Sequence, residues 1–153
     1  MFTVREVRSE DLPAVTELYN QATKKLMEKD IRQWDYPWTM QRCLDLFPGL
    51  VVLLRDNQIV GAMRLVEKQE EDELGRMTPI LSLEKLVIHP DCQGKQWSDH
   101  LFVYAKAQGE HHKKRVLFDC WAGNTNLVSY YSKKATYVGL CEEEDYQVAV
   151  FQL

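Results

Sequence analysis

Between Ile80 and Cys120 the chain reads as an apolar strand (Ile80–Ile88), a turn at Pro90-Asp91, a helix from about Trp97 to His111, and a second apolar strand (Val116–Cys120). Two strands joined through a helix cannot be hairpin neighbours. They pair in parallel through a right-handed crossover. That one unit commits the fold to a sheet with helices packed on it.

The remaining segments add antiparallel strands around it. Phe2–Val7 alternates apolar and polar residues, as a half-buried strand does. Ser9 offers a cap for a helix whose first turn carries Glu10 and Asp11, where the dipole favours negative charge. Leu12, Val15, Leu18, Tyr19, Ala22 and Leu26 then recur at helical spacing, so this helix extends to about Lys29. A short helix is predicted near Met40–Phe47, closed by Pro48-Gly49. Leu50–Arg55 and Gln58–Val66 read as a hairpin around Asp56-Asn57. The acidic run Gln69–Gly75 reads as a solvated loop, and His111–Arg115 as positive charge complementing a helix C-terminus. Asn124 or Thr125 caps a last helix through about Lys134, and strands near Thr136–Cys141 and Tyr146–Leu153 follow. The expected class is α/β: a mixed sheet with helices on both faces.

Length and composition set the bounds. The 153 residues suit a single domain, 1–153, and 45% hydrophobic with 27% charged residues is ordinary globular composition. A net charge of −4 argues against a dedicated nucleic-acid binder. No apolar run approaches the ~20 residues of a membrane span, so no membrane partner is expected. Cys43, Cys92, Cys120 and Cys141 show neither CxxC spacing nor a metal-ligand rhythm, so no metal is expected. Met1–Arg5 lacks the charged head and apolar core of an export signal. Free thiols and a cytoplasmic location are the expectation, as a monomer or homodimer.

The segment that carries chemistry is Leu83–Ser98: strand, turn, then helix N-terminus. Free amides and the positive end of a helix dipole make an anion site suited to a pyrophosphate. Gly94 lets the backbone approach closely, and Lys95 adds a cation. Downstream, Asn124-Thr125-Asn126-Leu127-Val128-Ser129-Tyr130-Tyr131-Ser132-Lys133 places Asn124 and Tyr131 about two helical turns apart, near one helix face.

These two segments, in this order, resemble the GNAT acetyltransferase superfamily. Ile88-His89-Pro90 with Gln93–Ser98 is similar to its apolar strand, V-x-P step and Q/R-x-x-G-x-G/A loop; Gln96 and Ser98 replace the loop's later small residues. Asn124 and Tyr131 stand on the matching positions of its N-x-x-A-x-x-x-Y-x-K helix. Ala135-Thr136 stand where that helix is usually followed by Gly-Phe. Ile31–Pro37 is similar to a bacterial subgroup's G-I-x-Q-W-x-x-x-Y-P.

The resemblance implies a centrally splayed sheet and a transfer of acetyl from acetyl-CoA to the amine of a small molecule or peptide in a ternary complex. It places the cofactor on Leu86, Val87, Ile88, Gln93, Gly94, Lys95, Gln96, Trp97, Ser98 and Asn124. It gives Tyr131 the role of proton donor to the leaving thiolate. Chemistry also asks for a base, with Glu84 or a water chain as candidates, and for a backbone N–H on the Leu86–Ile88 strand to face the developing oxyanion. Each residue has a plainer reading. Tyr131 is at core spacing, Glu84 can be a solvent-facing strand residue, and Asn124 is an N-cap in either case. Trp34, Tyr36 and Trp38 read either as walls of a substrate pocket or as core lids. The rival from another class is a non-catalytic acyl-CoA-binding module, and Gln96 is the departure that favours it.

Overall fold

The structure, a computed structural model, describes all of residues 1–153. The elements run β1 (Phe2–Glu6), α1 (Leu12–Glu28), α2 (Met40–Asp45), β2 (Leu50–Arg55), β3 (Gln58–Glu71), β4 (Met77–Ile88), α3 (Ser98–His112), β5 (Val116–Trp121), α4 (Thr125–Lys134), β6 (Thr136–Glu143) and β7 (Tyr146–Gln152). The strands form one seven-stranded sheet in the order β1-β2-β3-β4-β5-β7-β6. Pairing is antiparallel at β1–β2, β2–β3, β5–β7 and β6–β7, and parallel at β4–β5, as the crossover requires. This is the mixed α/β class that the sequence predicts. No helix is long and apolar enough to cross a membrane. The chain divides into two compact units, Met1–Leu65 with Lys85–Tyr104, and Val66–Glu84 with Ala105–Leu153.

In the first unit the α1 stripe does what its periodicity implies. Val15, Leu18, Tyr19 and Ala22 are buried with Trp38, Cys43, Leu50, Val52, Leu54, Ala62 and Val87 in one cluster. β2 is buried on both faces from Leu50 to Leu54, which explains its unbroken apolar run. Asp56 and Asn57 both take positive φ, 49° and 69°, the pair that a two-residue I′ hairpin demands. The entry to α1 differs from the sequence expectation. Ser9 opens a short 3-10 turn; Asp11 stands at the N-cap position of α1 without a side-chain cap bond, and its carboxylate instead closes the 3-10 turn by accepting from the Arg8 amide at 2.8 Å. The same carboxylate takes both Arg5 guanidinium nitrogens, at 2.7 and 3.1 Å, from β1. A carboxylate with two strong donors outcompetes a lone hydroxyl for this position.

In the second unit β3 and β4 run further than the sequence suggests, to Glu71 and from Met77. The first three residues of the acidic run, Gln69–Glu71, are therefore strand, and the rest is the turn. Glu67 pairs with Lys114 at 2.8 Å and Glu70 with Arg115 at 2.7 Å. Asp72 closes the turn by accepting from the Leu74 and Arg76 amides. Within the acidic run, Glu70 thus pairs with Arg115 of the basic run and Asp72 with Arg76. Parallel pairing of β4 with β5 is short: Leu81 with Val116 and Ser82 with Leu117. β5 keeps its antiparallel partner β7 through Trp121, so beyond Leu117 it is held from one side. That early parting is the splay that the family resemblance implies.

Asp11 carries the testable consequence. The Arg5 hydrogen bonds hold its carboxyl below the usual range, against the opposing effect of burial. A depressed folded value contributes stability that is complete above the ordinary carboxylate value of about 4 and is lost as pH falls through the folded value. Asp11→Asn is expected to lose about 1–3 kcal/mol at pH 7. The gap to the parent should close at acid pH. Denaturant midpoints across the acid range check both parts.

Candidate active site

The site begins with a break in β4. Lys85, inside the strand, has φ of 56°, a left-handed conformation that costs a non-glycine residue about 1–2 kcal/mol. Its carbonyl accepts a 2.6 Å hydrogen bond from the hydroxyl of Tyr19, which is fully buried in α1. The peptide between Lys85 and Leu86 is planar and trans, so its N–H points opposite to its C=O. Tyr19 thereby fixes the direction of the Leu86 N–H. A bulge of this kind re-aims a strand's polar groups.

From Leu86 to Ile88 the strand is held against β3 at close range. A Cβ on Gly61 would stand 2.8 Å from Ile88 Cδ1 and 3.1 Å from the Val87 carbonyl, so only glycine fits there. The His89 N–H donates to the Val60 carbonyl at 2.8 Å. Beyond it, the His89 ring accepts from the Asp91 amide and shapes the turn at Pro90–Cys92. The Gln93 side chain donates back to the Ile88 carbonyl at 3.3 Å, tying loop to strand.

The loop then alternates in hand. Gly94 has φ of 80° and Gln96 of 61°. Such alternation turns successive amides toward one side and forms an anion-binding concavity. Gln93 to Gln96 are exposed; the Asp99 amide donates to the Gln96 carbonyl and the His100 amide to the Trp97 carbonyl. α3 starts immediately, at a buried Ser98. Trp97 is an anchor: its ring meets Phe2 edge-on at 5.0 Å, with Arg55 4.9 Å and Lys95 5.2 Å from its centroid. The Lys95 ammonium thus rests on the Trp97 face. Gln96 keeps the left-handed backbone that glycine adopts freely, so the loop retains its shape despite the substitution.

The second unit holds the other candidates. Asn124 caps α4, its side-chain oxygen accepting from the Leu127 amide at 3.2 Å. Tyr131 is 7% exposed, with Phe118 and Phe151 ring centroids at 5.0 and 5.7 Å. Burial raises its hydroxyl well above the ordinary tyrosine value, and Cys120 and Tyr130 add to this. Glu84 lies 3.5 Å from the Lys68 ammonium, its side chain one-quarter exposed. Burial also pushes the Cys120 thiol up to about 11, so it carries no thiolate at neutral pH.

The aromatic trio separates. Trp38 is 3% exposed, donates from its indole to Thr23 at 2.9 Å, and packs 4.8 Å from the Tyr19 ring. Trp34 is half-buried edge-on to both. Tyr36 is 45% exposed. Tyr19 and Lys85 were not singled out from the sequence. A tyrosine within an apolar helical stripe does signal a hydroxyl in need of a buried partner; nothing in the sequence signals the φ of Lys85.

This architecture is that of GNAT acetyltransferases. An acetyltransferase of that family from Streptococcus agalactiae 2603 matches with a TM-score of 0.76 at 15% identity, over 99% of this chain and 94% of the other. The PaiA N-acetyltransferase of Thermoplasma acidophilum, solved in complex with coenzyme A, matches at 0.74 and 12%, over 99% and 98%. YncA from Salmonella typhimurium, solved with its cofactor acetyl-CoA, matches at 0.70 and 15%, over 99% and 92%. At such identities the likeness is one of fold. No curated protein sequence matches the chain. The sequence profile of the acetyltransferase (GNAT) family matches residues 5–137. The chain belongs to the GNAT acetyltransferase family, and is by class an acyltransferase.

The Tyr19 joint is testable without a substrate. Tyr19→Phe keeps the ring against Trp34 and Trp38 and leaves the Lys85 carbonyl without its hydroxyl donor. The expected loss is about 1–3 kcal/mol in chemical denaturation. Hydrogen exchange should accelerate at Leu86 and Val87 more than at Leu50–Leu54.

Proposed function

We propose that the chain is an acetyl-CoA-dependent N-acetyltransferase that acts on a primary amine of a small molecule or peptide by direct attack in a ternary complex. The observation that carries this reading is the loop Gln93–Ser98, whose left-handed turns at Gly94 and Gln96 present backbone amides at the start of α3. A pyrophosphate there would accept from those amides, with Leu86–Ile88 as the strand edge for the pantetheine arm, in the manner of an added strand. The coenzyme A and acetyl-CoA of the matching structures support the same choice of cofactor.

Acetyl-CoA supplies an activated acyl group; the chain supplies position and proton handling. The Leu86 N–H, aimed by the Lys85 peptide, is the proposed donor to the acetyl oxygen as negative charge develops. Glu84 is the proposed base for the incoming ammonium, with Lys68 holding its carboxylate. Tyr131 is the proposed proton carrier to the departing sulfur. Asn124, already capping α4, retains amide N–H groups for the cofactor. Tyr36 is the most exposed of the three aromatic side chains and the one best able to meet an acceptor; Trp34 offers a partial face. Direct attack is favoured over an acyl-cysteine at Cys43 or Cys120, because burial raises both thiols and keeps them protonated.

Calorimetry tests the cofactor placement. Acetyl-CoA is expected to bind, and pantetheine, which has no pyrophosphate, to bind at least tenfold more weakly, or ~1.4 kcal/mol. Equal affinities would remove the loop from the site.

Tyr131→Phe tests the proton carrier on any accepted amine. The ring packing stays and the proton goes, so kcat is expected to fall by about 100- to 10,000-fold with cofactor affinity nearly unchanged. Tyr130→Phe, about 100° around the helix, should retain most activity. Full turnover by the Tyr131 variant with chemistry limiting would assign the proton to solvent.

A further inference from the structure

The β6–β7 hairpin ends the sheet, and β6 is its terminal strand, paired with β7 along one side. From Thr136 to Glu143 every residue except Gly139 is exposed. The strand is apolar at its centre: Tyr137, Val138 and Leu140 are 48%, 54% and 58% exposed. A bulge at Val138 twists the strand without ending it, and pairing with β7 continues from Gly139 to Glu143. An apolar edge of this length recruits another strand unless charge or proline interrupts it. Here the charge stands at the two ends. Lys133 and Lys134 precede the strand, and Glu142, Glu143, Glu144 and Asp145 close it.

That polarity selects the occupant. An antiparallel partner with the same sequence sets each strand's start beside the other's end. The lysines of one copy then face the acids of its partner, and the apolar centres meet at the two-fold axis. Parallel pairing of the same strands would set acid against acid and lysine against lysine. Isologous pairing also uses up the edge, so it closes at two copies and forms no fibre. We propose that β6 is a homodimer interface in which two copies pair antiparallel along Thr136–Glu143. The inference is independent of the acyl-transfer reading.

Sedimentation equilibrium on the full chain tests it, with charge reversal as the discriminating element. The parent is expected at twice its 18.0 kDa mass. Lys133→Glu with Lys134→Glu, and separately Glu142→Lys with Glu143→Lys, should each weaken the dimer at least tenfold. Mixed together, the two variants should pair again, because the glutamates at the start of one then meet the lysines introduced at the end of the other; this also shows that both are folded. Leu140→Lys should give a monomer. A parent that stays monomeric at about 100 µM, a dimer untouched by both charge reversals and by Leu140→Lys, or variants that fail to pair on mixing would each overturn the proposal.

Discussion

The hydrogen bond from the Tyr19 hydroxyl to the Lys85 carbonyl is the joint on which the candidate site depends. A residue at left-handed φ in mid-strand is unfavourable by itself, and persists only where surroundings over-determine it. Here the surroundings are a buried tyrosine whose ring is fixed by Trp34 and Trp38. Removing the hydroxyl would leave a strand carbonyl turned out of its ladder. The core of the first unit thus sets the orientation of a backbone group at its functional edge. The aromatic-rich stretch before α2 serves this end: Trp38 is core, bonded to Thr23 and packed on Tyr19.

Downstream of that joint the chain uses backbone where another fold would use side chains. Gly61 lets β3 approach Ile88, His89 and Gln93 hold the turn by local bonds, and the loop amides are aimed by two left-handed residues. Side chains bring little charge to the loop, since Lys95 lies on Trp97. An anion held mainly by amides is recognised by shape as much as by charge. An acidic chain is thereby compatible with an anionic cofactor even though Asp91 and Asp99 flank the loop, because amide donation is local.

How far the sequence was legible follows from which interactions are local. Strand and helix identities came from periodicity, and the crossover followed from a helix between two strands. The I′ turn at Asp56-Asn57 was legible because two residues determine it. Three features were not. The length of the β3–β4 hairpin depends on ion pairs between Glu67 and Lys114 and between Glu70 and Arg115, partners more than forty residues apart in the sequence. The chain enters α1 through a 3-10 turn at Ser9–Asp11 that the Asp11 carboxylate closes on the Arg8 amide, with Arg5 of the preceding strand bound to the same group. The bulge at Lys85 leaves no compositional trace, since nothing local favours a lysine at positive φ. The loop was legible as an anion site from its strand–turn–helix order and the last helix from its cap at Asn124 or Thr125; only acetyl-CoA as the ligand and the proton-donor role of Tyr131 came through resemblance to a family.

The environment of Tyr131 constrains the chemistry more than the residue type does. A free tyrosine, at about 10, is already a weaker acid than an ordinary thiol at about 8.5, by roughly 2 kcal/mol. Burial against Phe118 and Phe151 widens that gap. A tyrosinate in that aromatic pocket would be a buried charge and costly to form. In the proposed mechanism, then, burial disfavours a Tyr131 that gives up its proton to sulfur and waits for another. The hydroxyl must receive a proton as it donates one, and the acylated nitrogen, which has to shed one in the same reaction, is the nearest chemical source. The raised value fits this role, since the group stays protonated and aimed across the neutral range. Aromatic packing then has two effects with one cause: it holds the ring in place, and by burial it makes the ionised form costly, which favours a relay.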